Sequence, residues 1–139
     1  MRLPNNGDFV MNGEQYLLDT NAIIQLLKGN TDVASFLESA DTIAVSIIAE
    51  MEYLSFSGLN EHDVGLYRAL KSRVRIFDVP ADDEIFTRRV VAARQKYGLK
   101  LPDAIIAATA RKNDLTLLTA DDHFKKLKSP WKVRFYKPI

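Results

Sequence analysis

Residues 101–121 read LPDAIIAATARKNDLTLLTAD, and this stretch decides the fold. Pro102 suits the first turn of a helix, where a missing N–H is no loss. The helix is expected to run to about Asn113, and Leu115–Leu118 reads as a strand. One acid, Asp103, sits in the first turn of the helix, and another, Asp121, follows the strand.

The same pattern recurs on either side. Tyr16–Asp19 reads as a buried strand, followed by helices at Asn21–Lys28, which stops at Gly29, and at Thr31–Glu38. Thr42–Val45 is a strand, and Ser46 can cap a helix expected to reach about Ser57 and end at Gly58. A helix at Asn60–Lys71 and a strand at Val74–Phe77 come next. Asp82–Tyr97 is amphipathic, with Phe86, Val90, Ala93 and Tyr97 on one stripe, and Gly98 ends it. Beyond Asp121, Asp122–Leu127 reads as a short helix capped by Asp122, and Val133–Tyr136 as a last strand. Strands alternating with helices predict an α/β fold with a central parallel sheet and helices on both faces. Ligands in such sheets bind beyond the carboxyl ends of the strands.

Four acids fall at those places. Asp19 ends the first strand, Glu50 lies one turn into the helix after the second, and Asp103 and Asp121 are placed as above. Asp19 and Asp121 abut apolar strand residues, where a carboxylate is costly unless paired or metal-bound. Each acid also has a structural reading: Asp19 and Asp121 as helix caps, Asp103 as an acid favoured by the helix dipole, Glu50 as a surface residue. Glu50 shares a helix face with Ile47 and Leu54, so it is expected to point inward. Glu52, two residues on, is expected to be the solvated one. Such a carboxylate cluster suits hard divalent cations and metal-assisted phosphodiester hydrolysis.

In order, DTN (19–21), S-x-x-x-E-M (46–51), PDAIIAATA (102–110) and LLTADxxF (117–124) resemble the PIN domain, in particular the VapC-type toxin of bacterial toxin–antitoxin pairs. The resemblance covers Tyr16 to the C-terminus. It implies strand order 3-2-1-4-5 with about seven helices, and Mg²⁺- or Mn²⁺-dependent endoribonuclease activity. It implies Asp19, Glu50, Asp103 and Asp121 as metal ligands, Thr119 as a hydroxyl beside the site, and Asn21 as a support by hydrogen bonding. It also implies a homodimer and a cognate antitoxin whose tail enters the acidic groove. The whole of 1–139 is expected to form one PIN domain, with 1–14 a loose N-terminal extension and Met11 a candidate start.

The totals limit the alternatives. The formal net charge is +1, but residues 1–69 hold three Lys/Arg against ten Asp/Glu, and residues 70–139 hold sixteen against eight. That split points to a polyanion such as RNA, and Lys125, Lys126 and Lys128, close after Asp121, are candidate phosphate contacts. His62 and His123 lack zinc-motif spacing and read as ordinary surface residues. With no cysteine there is no disulfide framework. No apolar run approaches the roughly 18 residues of a membrane span, and residues 1–15 have no signal-peptide core, so a cytoplasmic location is the expectation. A haloacid-dehalogenase-like phosphatase needs an acid two residues after Asp19, where Asn21 stands. A receiver domain built on Asp78 lacks its acid pair and late lysine, and there is no glycine-rich phosphate loop. The competing readings are a PIN-fold RNA-binding or scaffold protein without turnover, and a metal-dependent DNA flap nuclease.

Overall fold

The computed structural model describes residues 13–139, so the expected loose extension lies, for residues 1–12, outside the described residues, as does the candidate start at Met11. Five strands form one sheet: β1 (Gln15–Leu18), β2 (Thr42–Ser46), β3 (Arg75–Phe77), β4 (Thr116–Thr119) and β5 (Val133–Phe135). All pair in parallel, in the order β3-β2-β1-β4-β5. Leu18 is in register with Val45 on one side and Leu118 on the other. Sheets covered on both faces bury their central strands entirely, and so Tyr16–Leu18 and all of β4 are buried.

Among the described residues six α-helices connect and cover the sheet: α1 (Thr20–Leu27), α2 (Thr31–Glu38), α3 (Ile47–Leu54), α4 (Glu61–Lys71), α5 (Glu84–Tyr97) and α6 (Leu101–Lys112). A 3-10 helix, Asp122–Lys126, precedes β5. Most starts are set by short polar caps whose side chains accept orphan backbone N–H groups: Asp19, Asn30, Ser46, Asn60, Asp83 and Asp121. Two of these differ from expectation. The long helix α5 is capped by Asp83 rather than starting at Asp82. The 3-10 helix is capped by Asp121, while Asp122 instead pairs with Lys125 at 3.0 Å.

α3 is also shorter than expected. It stops at Leu54 rather than near Ser57, where the Ser55 and Phe56 amides turn to carbonyls three residues back, on Glu52 and Tyr53, and the Ser55 hydroxyl bonds the Met51 carbonyl at 2.5 Å. Gly98 ends α5 as its position predicts, at φ 67°, a left-handed conformation that costs glycine little. The chain then reverses onto buried Leu99, which delivers Lys100 and Asp103 to the start of α6.

The sheet order makes a switch point between β1 and β4. β2 and β3 lie on one side of β1, and β4 and β5 lie on the other. The connections out of β1 and β4 therefore diverge, and open a crevice at their carboxyl ends.

Asn30 joins the start of α2 to the C-terminal residues. It is buried and its carbonyl oxygen caps α2 through Asp32 and Val33, while its amide donates to Gln25 and to the Lys137 carbonyl. The Lys137 and Ile139 amides donate to Asp32 and Gln25 in turn. Asn30→Ala removes the cap, the bond to Gln25 and one of the bonds that hold residues 137–139. Denaturant unfolding should show a loss of about 2–4 kcal/mol with an unchanged m-value. A loss below about 0.5 kcal/mol would mean that neither group of bonds matters in solution.

Candidate active site

Asp19 is the first residue after β1, and only 5% exposed. One carboxylate oxygen accepts the Ala22 amide at 2.7 Å, which caps α1. The other accepts the Thr119 hydroxyl at the end of β4. The same hydroxyl oxygen accepts the Asp121 amide at 3.0 Å. Thr119 thus ties the ends of the two central strands together and fixes Asp121 relative to Asp19. Burial pushes the Asp19 carboxyl up to about 6, with added repulsion from Asp103 and Asp121, against the lowering effect of the Thr119 and Ala22 bonds.

Asp103 stands in the first turn of α6, half-buried. Burial raises its pKa, and the charges of Asp121 and Glu52 raise it further, opposed by His123 and Lys100. Asp121 caps the 3-10 helix through the His123 amide at 2.9 Å, and the same oxygen faces the His123 ring nitrogen at 2.8 Å. His123 is therefore a neighbour of this acid, not merely a surface residue. The Tyr136 hydroxyl is buried with no hydrogen-bond partner among the described residues and feels the charge of Asp19, after Tyr136 leaves β5 bonded to the Thr119 carbonyl at 3.1 Å.

The fourth expected acid is elsewhere. Glu50 is buried but turned toward α4, where it accepts the Tyr67 hydroxyl at 2.9 Å and pairs with Lys71 at 2.8 Å. Glu52 lines the cavity with Asp19, Asp103 and Asp121 instead, held by the Thr20 hydroxyl at 2.6 Å. The physical reason is the rotation of α3. Its buried face is Ala49, Glu50 and Tyr53, whereas Leu54, used to set the face from sequence, is 43% exposed. About 200° separates residues two apart on a helix, so burying Glu50 against α4 aims Glu52 at the crevice.

These groups share one open cavity of about 700 Å³ at the carboxyl ends of β1 and β4. Asn21 lies exposed on its wall and makes no hydrogen bond to the acids. Met51 and Phe56 give it an apolar edge. Lys125, Lys126 and Lys128 are exposed on and just after the 3-10 helix, outside the lining. Lys100, which the sequence reading passed over, is within it. No local signal marked Glu52 or Lys100, since each depends on how one helix is rotated or placed against another.

Among the described residues no three His, Cys, Asp or Glu side chains close into a ready ligand set. The four carboxylates line an open, water-accessible hollow. That donor set fits Mg²⁺ or Mn²⁺, because Mg²⁺ keeps several waters and takes only one or two carboxylates rather than an all-protein cage. It does not fit a structural zinc, which takes tetrahedral nitrogen and sulfur ligands.

The family model of the PIN domain matches residues 16–130. Among solved structures, a toxin–antitoxin complex from Klebsiella pneumoniae is 33% identical, covers 85% of this chain and 99% of its own, and superposes with a TM-score of 0.69. VapBC2 from Rickettsia felis, bound to a DNA fragment from its promoter, is 24% identical over 88% and 98% of the two chains, with a TM-score of 0.74. DNA-bound VapBC from Salmonella typhimurium is 22% identical over 88% and 98%, with a TM-score of 0.71. The last two speak to the fold alone. No curated protein matches the chain.

The raised Asp19 carboxyl has a consequence for metal-free stability. Because the fold favours the protonated form, the contribution of Asp19 is fully present below about pH 3.8 and is lost as pH rises through about 6. The span of about two pKa units corresponds to about 3 kcal/mol. In EDTA, the difference in unfolding free energy between Asp19→Asn and the parent should therefore move in the mutant's favour by about that amount from pH 4 to pH 7. A difference that stays flat with pH would place the Asp19 carboxyl in its ordinary range.

Proposed function

Because the chain belongs to the PIN domain family, we propose that it is a Mg²⁺- or Mn²⁺-dependent endoribonuclease and the toxin of a toxin–antitoxin pair. The observation that carries this reading is the convergence of Asp19, Glu52, Asp103 and Asp121 on one cavity at the switch point of the sheet. Four carboxylates there are self-repelling, and a cation is the group that would relieve them.

The site residues divide the work. Asp19, Asp103, Asp121 and Glu52 would hold the ion, with Asp19 set rigidly by Ala22 and Thr119 and Glu52 set by Thr20. A divalent cation at this place supplies an activated water nucleophile and neutralises charge on the phosphoryl and leaving oxygens. Thr119 keeps Asp19 and Asp121 at a fixed separation, which preserves the geometry between turnovers. The His123 ring lies 2.8 Å from the Asp121 carboxylate and helps to orient that acid at the rim of the cavity. Glu50 has no part in this: with Tyr67 and Lys71 it anchors α3 to α4.

RNA is the proposed substrate, and the exposed Lys126 and Lys128 beyond the cavity are further phosphate contacts. A cognate antitoxin is the proposed protein partner, as in the Klebsiella pneumoniae toxin–antitoxin complex, and a homodimer the proposed assembly. No helix among the described residues is long and apolar enough to cross a membrane.

Purified protein free of any antitoxin should cut RNA with Mg²⁺ or Mn²⁺, stop with EDTA, and leave a 5′-phosphate. Glu52→Gln and Asp103→Asn should each lower kcat/KM by about a hundredfold or more. Glu50→Gln should stay within about threefold of the parent and lose thermal stability, since it breaks only the pair with Lys71. If Glu50→Gln is the inactive variant and Glu52→Gln cuts normally, the site assignment is wrong. RNA bound without any cleavage would favour a binding protein, and a 2′,3′-cyclic phosphate product would rule out an external water as nucleophile.

A further inference from the structure

We propose that Lys100 binds a phosphate of the RNA substrate inside the acidic cavity and so sets how tightly the substrate is held; this rests on the nuclease reading above. Among the described residues Lys100 is the one basic side chain in the lining, against four acidic ones. A phosphodiester approaching four carboxylates is repelled by every ionised one that a cation does not offset. A second positive charge at the mouth counters that repulsion on the substrate's side of the site.

Four lysines elsewhere on the fold are already engaged with acids. Lys71 pairs with Glu50 at 2.8 Å, Lys112 with Asp83 at 2.9 Å, Lys125 with Asp122 at 3.0 Å and Lys132 with Asp114 at 2.5 Å. Lys100 lines a cavity holding four acids, yet no ion pair to any of them forms among the described residues. It is exposed, and near enough to Asp103 to lower that acid's pKa. A solvated ammonium that shares a cavity with acids without pairing remains available to an anion from outside.

Its place is fixed by backbone rather than by side-chain bonds. Gly98 reverses the chain, Leu99 is buried as the anchor, and Lys100 occupies the cap position of α6, its carbonyl accepting the Ala104 amide at 2.9 Å and its side chain making no cap bond. Its stem is free to swing, which suits a point-charge phosphate contact and not a bidentate one.

Cleavage and binding of a labelled single-stranded RNA oligonucleotide test this in the full chain. Lys100→Ala should raise KM about tenfold with kcat within about threefold, the pattern of lost uniform binding. Binding should be followed by anisotropy with Mg²⁺ on the Glu52→Gln background, so that the probe survives. There, Lys100→Ala should reduce the slope of log affinity against log salt by about 0.7. Lys100→Arg should restore both, and Lys96→Ala, exposed on α5 outside the lining, should change neither. An unchanged KM and slope in Lys100→Ala would overturn the proposal. So would a change confined to the Mg²⁺ concentration giving half-maximal rate, which is what a lysine that only offsets the carboxylates would produce. Failure of the nuclease reading looks different. A parent that binds RNA without cutting removes that reading and leaves the Lys100 slope to be judged as before. A parent that neither binds nor cuts removes both.

Discussion

The Thr119 hydroxyl lies between two acids, donating to the buried Asp19 carboxylate and accepting from the Asp121 amide. A carboxylate buried at the end of a central strand is tolerable only when its oxygens are satisfied. Asp19 is satisfied by one bond within its own βα unit, from Ala22, and one from the neighbouring strand. The second bond is possible only because β4 lies directly beside β1, on the side away from β2. Sheet order, strand register and the position of two candidate ligands therefore depend on one another. The same burial that makes Asp19 rigid also makes it reluctant to ionise, which a bound cation would reverse.

Much of this was legible in the sequence because it is governed by local rules. Strand after helix, caps at Ser46 and Asp19, and the stop at Gly98 each depend on a few adjacent residues. The family resemblance added the strand order, and the observed order agrees with it. Asp19, Asp103 and Asp121 could be placed because each sits at the junction of a strand or helix end, where direction is dictated by the backbone.

Glu50 and Glu52 could not be separated by the same means. Both lie mid-helix in α3, and the choice between them depended on which apolar residues face the core. Ile47 and Leu54 suggested one rotation, but the α3 stripe that packs is Ala49 with Tyr53, and Tyr53 stacks on Tyr67 with ring centroids 5.2 Å apart. Leu54 and Met51 are left exposed instead. Glu50 then finds Lys71 and the Tyr67 hydroxyl, partners supplied by a helix seventeen or more residues away. Periodicity finds an apolar face, but it cannot tell which acid beside that face has a cation waiting on another element. The charge asymmetry of the chain has the same limitation. Asp19 and Glu52 come from the acidic half and Asp103 and Asp121 from the basic half, so the two halves meet at the cavity.

The bond between Thr119 and Asp19 spans one hundred residues of chain. In terms of contact order, the central strand must wait for a partner that is made near the end of synthesis, and the loop that closes is almost the whole domain. A nascent chain that has not yet presented residues 116–121 can form β1, β2, β3 and their helices, but it lacks the strand that fixes Asp19 and the acid that faces it. The carboxylate cavity is consequently one of the last features to be completed, and an interrupted or truncated chain holds only part of it.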